Sequence, residues 1–261
     1  MTGRGEIAQL ISRGKRAVTI DDAKGVLHVP TDVAAKKLAR WAGLGWLRRV
    51  RRGLYIPVPI SAEQPEHWSE DSVFLADLVW SPCYFTGWTA ASHWGLTEQI
   101  FRTTVLKSTQ RIRATKQRLL DQDYIVEHIA PDGIWGVTTV WRQDHRVQFA
   151  DPARTMIDIL DEPHLAGGIR SVGDVLVRYL DEHDPMALIA CAEKLGNAAI
   201  FKRLGYLIES LRLVQPTLIT EARSRLSTGI SLLEPSAPSS GPRIPRWGIR
   251  ANALITKDDP S

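Results

Sequence analysis

Residues 45–57 have the sequence GWLRRVRRGLYIP, and this stretch decides how the chain is expected to fold. Apolar and aromatic residues stand on both sides of a glycine, which predicts two short strands joined by a tight turn. Four arginines, at positions 48, 49, 51 and 52, fall within five residues of this hairpin. The hairpin therefore concentrates positive charge in a small area.

An amphipathic helix is predicted just before the hairpin, from Pro30 to Gly43. Ala34, Leu38 and Trp41 repeat at helical spacing on one face, so we expect them to be buried. Lys36 and Arg40 are four residues apart on another face. The outer face of this helix is thus expected to be basic.

A shorter helix is predicted upstream. Thr19-Ile20-Asp21-Asp22 has the spacing of a capping box, and Gly25 is expected to end the helix. Residues 26–29 would then form the turn between the two helices. Two helices and a following hairpin predict an N-terminal winged helix-turn-helix domain.

The charge of this domain favours a nucleic-acid partner. Residues 1–57 contain 12 Lys and Arg against 4 Asp and Glu, whereas the other 204 residues contain 21 against 25. In a helix-turn-helix the second helix lies in the major groove of DNA, and basic residues around it bind phosphates. The predicted DNA-binding residues are Thr31, Lys36, Lys37, Arg40, Arg48, Arg49, Arg51 and Arg52.

Length and composition set the broad class of protein. The chain has 261 residues, of which 44% are hydrophobic and 24% charged, so we expect a globular protein of two domains. Only Cys83 and Cys191 are present, and neither is in a C-x-x-C pair, so neither a disulfide framework nor a cysteine zinc site is indicated. No signal peptide or membrane-spanning run is evident, which predicts a cytoplasmic protein without membrane association.

A proline-punctuated stretch at residues 58–65 predicts a boundary between domains 1–60 and 66–261. The second domain is expected to begin with helices near 69–80 and 87–94, the latter capped by Thr86. Strands are predicted near residues 103–106, 124–128, 135–141 and 146–149. Helices follow, the first capped by Asp151. A loop at 234–246 precedes a last strand at 247–254.

Four segments together resemble the AbiEi family of antitoxins. They are the hairpin sequence GWLRRVRRGLY at 45–55, YFTGWTAA at 84–91 with WGL at 94–96, DPARTMIDIL at 151–160, and KRLGYLIE at 202–209. Their order along the chain, more than any single motif, carries the resemblance.

The resemblance implies an α+β protein, with the winged helix-turn-helix domain followed by a mixed α/β C-terminal antitoxin domain that contains a helical bundle. It implies a non-enzymatic antitoxin that binds double-stranded operator DNA, represses its own operon and counteracts a nucleotidyltransferase-like toxin, without a cofactor or metal. Whether the toxin is bound directly stays open. The alternative is a stand-alone winged-helix regulator without a toxin.

A second basic cluster is predicted on a strand end and the loop after it. Its members are Lys107, Arg111, Arg113, Lys116 and Arg118. The cluster is compatible with a solvated loop, with an extension of the DNA footprint, or with a surface for an acidic toxin.

Two other features of the sequence bear on enzyme or ligand chemistry. Asp158, Asp161 and Glu162 place carboxylates near one helix end, but no catalytic motif surrounds them. Asp158 is expected to face solvent or to form a surface ion pair with Arg154, four residues before it. Residues 166–171 are compatible with an anion site at a helix N-terminus, although a capped helix start is favoured.

Overall fold

The computed structural model describes residues 3–11, 16–59 and 70–255. The chain divides into two compact units, Met1–Asp71 and Ser72–Ser261. Helices and strands occur in both, so the protein is of the mixed α+β class. The boundary predicted between residues 60 and 66 lies outside the described residues. Within these residues, no helix combines the length and the apolar character needed to cross a membrane.

Unit 1 contains three helices and three strands among its described residues. They are α1 (Gly3–Ile11), β1 (Val18–Thr19), α2 (Ile20–Leu27), α3 (Thr31–Gly43), β2 (Leu47–Arg51) and β3 (Leu54–Pro57). The strands form an antiparallel sheet in the order β1-β3-β2. Ala34, Leu38 and Trp41 of α3 are buried in the core of this unit, as their spacing predicts.

The start of α2 is as predicted, but its predicted end is wrong. The hydroxyl of Thr19 accepts a hydrogen bond from the backbone N–H of Asp22, and the Asp22 carboxylate accepts from the N–H of Thr19. The helix then continues through Gly25 to Leu27, and His28 adopts the left-handed conformation after it. Val26 and Leu27 pack against the core, which compensates for the weak helix propensity of Gly25.

Unit 2 begins with a six-stranded mixed sheet and two helices. These are α4 (Ser72–Trp80), β4 (Cys83–Phe85), α5 (Gly87–His93), β5 (Thr104–Ser108), β6 (Lys116–Leu119), β7 (Gln122–His128), β8 (Val137–Arg142) and β9 (His145–Ala150). The strand order is β6-β7-β5-β4-β9-β8. The β4–β9 and β5–β7 pairs are parallel. The sequence did not predict β6, which is polar and half exposed.

The rest of unit 2 is helical and ends in a small sheet. Its elements are α6 (Pro152–Asp161), α7 (Ile169–Glu182), α8 (Met186–Leu195), α9 (Ala199–Ser210), α10 (Pro216–Ser224), β10 (Ser231–Leu232), β11 (Arg243–Ile244) and β12 (Ile249–Arg250). Asp151 caps α6 by accepting from the N–H of Arg154 at 2.7 Å, as predicted. The strand predicted at 247–254 is reduced to β12, and the loop predicted at 234–246 contains β11.

Helix α9 holds the C-terminal segment against the helices. The ammonium of Lys202 donates to the carbonyl of Gly229 at 2.9 Å, and the guanidinium of Arg203 donates to the carbonyls of Leu232 and Leu160. Trp247 is fully buried against Gly205. The KRLGYLIE segment is therefore a structural joint between α9 and residues 229–250.

Candidate nucleic-acid interface

Helix α3 presents a polar face to solvent. Lys36 and Arg40 are exposed on it, while Leu38 and Trp41 are buried on the opposite face; Thr31 is exposed at the start of the helix. The cap residue Pro30 has no side-chain acceptor, so the first N–H groups of α3 receive no side-chain cap. Exposed hydroxyl and cationic groups and an uncapped helix N-terminus are all able to bind phosphate.

The β2–β3 hairpin owes its exposed arginines to a β-bulge. The strand register shifts between Arg49 and Arg51, so the side-chain alternation changes within β2. Val50 is buried as a result, while Arg49 and Arg51 are exposed. Arg52 is exposed at the turn, where Gly53 adopts φ 81°. Arg48 is half-buried. The side chains of Arg49, Arg51 and Arg52 are therefore all exposed at the same end of the hairpin.

Backbone hydrogen bonds tie this hairpin to the two helices. The N–H of Ile20, the first residue of α2, donates to the carbonyl of Gly53 at 3.3 Å. The N–H of Trp46 donates to the carbonyl of Trp41 at 3.0 Å. Strand β1 adds the pair Val18 and Tyr55 to the sheet. The hairpin and α3 are thus held in a fixed relation within unit 1.

The predicted cations of unit 1 differ in their surroundings. Among the described residues, Arg40, Arg49 and Arg52 have no acidic partner. Lys36 lies 3.7 Å from Asp32 on the same exposed helix face. The ammonium of Lys37 instead contacts both carboxylate oxygens of Glu6, at 2.7 and 2.8 Å. Lys37 therefore serves the packing of α1 on α3.

One exposed group was not anticipated from the sequence. His28 lies in the turn between α2 and α3 with φ 51°. Its imidazole is exposed three residues before Thr31. From the sequence, α2 was expected to end at Gly25, and no DNA contact was predicted for the turn after it. A histidine in the turn before the second helix was the available signal, since an imidazole N–H is able to donate to a phosphate oxygen.

The structure separates Lys107 from the rest of the second basic cluster. Arg111, Arg113, Lys116 and Arg118 are exposed on β6 and the segment before it, at one edge of the six-stranded sheet. Lys107, in contrast, is 5% exposed on the inner strand β5. Its ammonium lies 2.6 Å from Glu162 and 3.5 Å from Asp158. Lys107 neutralises buried carboxylates and takes no part in the exposed cluster.

Asp158 is the centre of a buried polar network, so the expectation that it faces solvent or forms a surface pair is wrong. The predicted pair with Arg154 is present at 2.9 Å, but both residues are inaccessible to solvent. The hydroxyls of Tyr84 and Thr86 donate to the same carboxylate at 3.0 and 2.7 Å. Thr86 consequently does not cap α5 with its side chain.

The charges of this network compensate one another. Burial lowers the pKa of Lys107, but Asp158 and Glu162 outweigh it and hold that pKa above its ordinary value. Arg154 also stacks on Trp135, with 3.8 Å between its guanidinium carbon and the ring centre. These contacts connect the YFTG and DPARTMID segments. They give the carboxylates near the end of α6 a structural role.

The helix start at residues 166–171 is occupied by the protein's own carboxylate. Glu234 is buried and accepts from the N–H of Ile169, the first residue of α7, at 2.8 Å. Glu234 also accepts from Ser236. The favoured interpretation, a capped helix start, holds, and the cap comes from 65 residues further along the chain.

Comparisons with known proteins bear on both the domain and the fold. Residues 6–58 match the sequence model of a family described as "Transcriptional regulator, AbiEi antitoxin". A crystal structure of the RV2827C protein from Mycobacterium tuberculosis aligns with a TM-score of 0.65 at 14% sequence identity, over 95% of this chain and 91% of that chain. At this identity the likeness concerns the fold alone. No curated protein matches the sequence. The resemblance to the AbiEi family predicted from the sequence is thus confirmed by this match, which covers residues 6–58.

Proposed function

We propose that this protein is a cytoplasmic antitoxin that represses its own operon by binding operator DNA and that counteracts a nucleotidyltransferase-type toxin. The observation that carries the proposal is the bulged hairpin of unit 1, which exposes Arg49, Arg51 and Arg52 in the same domain as the basic face of α3. That domain lies within the residues that match the AbiEi regulator family.

In this proposal unit 1 is a winged helix-turn-helix. Helix α3 enters the major groove, where Thr31, Lys36 and Arg40 face base edges and phosphates. The hairpin is the wing, and its arginines bind the phosphates of an adjacent stretch of backbone. The order α2, α3, β2 and β3, closed by β1 pairing with β3, supports this assignment. Lys37 contributes less than Lys36, because Glu6 neutralises it.

The exposed cluster of Arg111, Arg113, Lys116 and Arg118 is proposed to extend the DNA footprint. Its members stand on an edge strand and the segment before it, and Arg118 pairs with the exposed Asp121, at 3.6 Å. A row of cations on an exposed edge suits a phosphate backbone, and a duplex adjacent to an operator offers one. An acidic toxin surface would be attracted by the same charges.

The test is binding of the full-length protein to its own upstream DNA and to a scrambled duplex across a salt series. We expect tighter, salt-sensitive binding to the upstream DNA. The double variant Arg49→Ala/Arg52→Ala should weaken binding to both duplexes and lower the slope of log K against log salt by about two units, because each phosphate contact contributes roughly 0.9.

A matched control removes the same charge elsewhere. Arg170 and Arg223 are exposed on helices of unit 2. The variant Arg170→Ala/Arg223→Ala should leave the salt slope unchanged. Equal slopes for the hairpin variant and the wild type would overturn the wing assignment, and equal affinity for upstream and scrambled DNA would overturn autorepression.

The antitoxin part is tested by co-expression with any nucleotidyltransferase-type toxin encoded beside the gene. We expect the chain to restore growth of cells that express that toxin. The variant Arg113→Ala/Lys116→Ala separates the two roles of the edge cluster. A lower DNA salt slope with intact growth rescue supports the footprint, whereas loss of rescue with an unchanged slope assigns the cluster to the toxin.

A further inference from the structure

A cavity of about 380 Å³ lies in unit 2 among α4, α5, β5 and the end of β8. Its lining combines hydroxyl side chains, two aromatic rings, a histidine and an arginine. The residues used below are Ser72, Trp88, Ser92, His93, Phe101 and Arg142. None of the described residues that line the cavity is acidic. The cavity is large enough to be a ligand site, and its polar groups converge from four elements.

Arg142 and His93 both line the cavity, and Arg142 supplies its positive charge. Both side chains contact the ring of Phe149: the His93 ring centre is 4.5 Å from the Phe149 ring centre, and the Arg142 guanidinium carbon is 5.7 Å from it. The Nε of Arg142 is inaccessible to solvent and has no hydrogen-bond partner among the described residues. A buried guanidinium N–H without a partner is costly, and an anion would satisfy it.

The electrostatics of His93 agree with this geometry. Burial lowers the pKa of His93, and the charge of Arg142 lowers it further. No carboxylate of the described residues compensates for that charge at His93. A phosphate beside the two groups would oppose this lowering of the pKa, since its negative charge stabilises a protonated imidazole and attracts the guanidinium.

Some of the other polar side chains that line the cavity already have hydrogen-bond partners within the protein, and others do not. Trp88 donates its Nε1–H to the carbonyl of Thr103, and Thr104 donates its hydroxyl to that of Ser72 at 2.8 Å. The hydroxyl of Ser92 has no recorded partner within the described part of the chain. Arg142, His93 and Ser92 are therefore among the groups left to bind an anion.

The size and the walls of the cavity indicate more than a bare phosphate. A volume of 380 Å³ corresponds to on the order of a dozen water molecules at about 30 Å³ each. Trp88 and Phe101 are stacked with 4.6 Å between ring centres and form an aromatic wall. Hydroxyl side chains of serine and threonine and further polar groups complete the lining.

We propose that this cavity binds a phosphorylated ribose, with the phosphate held by Arg142, His93 and Ser92 and the sugar among the hydroxyl groups. A free ribose phosphate and a nucleoside monophosphate share this chemistry, and the base of the latter would lie against Trp88 and Phe101. The site belongs to unit 2 and does not depend on DNA binding by unit 1.

The test is calorimetric titration of the full-length protein with ribose 5-phosphate, adenosine 5′-monophosphate, adenosine and inorganic phosphate. We expect the two phosphorylated riboses to bind and adenosine and phosphate to bind at least tenfold more weakly. Tighter binding of the monophosphate than of ribose 5-phosphate assigns the aromatic wall to a base. Equal affinities identify the sugar phosphate as the ligand.

Variants locate the site. Arg142→Ala should raise the dissociation constant about 10- to 100-fold, the effect of losing hydrogen bonds to a charged group. The control is Arg146→Ala, since Arg146 is exposed over Trp141 on the same β8–β9 pair. His93→Gln provides a second variant if Arg142→Ala does not fold. The proposal is overturned if neither phosphorylated ribose binds, or if Arg142→Ala and His93→Gln bind as the wild type does.

Discussion

Replacing Gly205 with alanine tests the joint between α9 and the C-terminal segment. A Cβ at this position would lie 2.1 Å from Cζ3 and 2.2 Å from Cη2 of Trp247, well inside any tolerated contact. Trp247 is fully buried, and its Nε1–H donates to the Glu209 carboxylate at 2.6 Å. The indole cannot move without losing packing, the hydrogen bond, or both.

The magnitude follows from three contributions. Overpacking of a core costs about 1–3 kcal/mol, and loss of a hydrogen bond to a charged group costs about 1.5–3 kcal/mol. Alanine recovers about 1 kcal/mol of helix propensity relative to glycine. We therefore expect Gly205→Ala to lower the free energy of unfolding by about 2–5 kcal/mol.

The assay is urea unfolding followed by far-ultraviolet circular dichroism. Gly173→Ala is the control, because Gly173 is also inside a helix of unit 2 but the nearest atom to its Cβ would be a methyl group of Leu211, at 3.3 Å. That variant should change stability by less than about 1 kcal/mol. In a Trp247→Ala background, Gly205→Ala should no longer destabilise the protein, since the clash is removed. Equal effects of Gly205→Ala and Gly173→Ala, or additive effects of Gly205→Ala and Trp247→Ala, would refute the packing described above.

Substitutions at Asp158, at the pair Lys36 and Lys37, and at Cys191 test three further parts of the structure. Asp158→Ala should lower the free energy of unfolding by about 3–5 kcal/mol, because it leaves buried cations without their carboxylate; a loss below 1 kcal/mol in urea unfolding would contradict this. Lys36→Ala should reduce the DNA salt slope by about one unit, whereas Lys37→Ala should leave the slope nearly unchanged and lower stability slightly, as titrations and unfolding curves would show. The Cys191 thiol should resist a thiol reagent until the protein unfolds. Burial raises its pKa from 9.0 to about 12, so the stability it contributes is full below pH 9 and is lost as the pH rises toward 12. Unfolding at pH 8 and pH 10.5 should show a smaller decline for Cys191→Ala than for the wild type.

Local sequence signals predicted the elements of unit 1 well. Each of these signals lies within a short segment: the capping box at Thr19, the spacing of Leu38 and Trp41, and the glycine turn of the hairpin. A short stretch of sequence is therefore enough to predict each element. The bulge after Arg49 was not predicted, because it depends on how β2 pairs with β3. That pairing decides which arginines reach solvent.

Long-range pairing explains what the sequence did not predict in unit 2. The Arg154–Asp158 pair was expected, but its burial depends on Tyr84 and Thr86, more than 70 residues earlier in the chain. The sequence placed Lys107 in a basic surface cluster because its partner Glu162 is distant in the chain and comes close to it only in the folded structure. The burial of Trp247 could not be predicted from the sequence, because its contact partner Gly205 has no side chain that would indicate a contact.

The segments that carry the family resemblance in unit 2 therefore have a common role. YFTG and DPARTMID meet at the buried Asp158, and KRLGYLIE holds residues 229–250 through Lys202, Arg203 and Gly205. Side chains occupied in this way maintain the fold and have little capacity left to contact another molecule. Resemblance in these segments thus predicts the architecture of unit 2 and leaves its partner undetermined. The groups available for recognition lie elsewhere, at the basic edge formed by β6 and in the cavity beside Arg142. Variants at those two places, with the joints left intact, are the ones expected to change function without changing the fold.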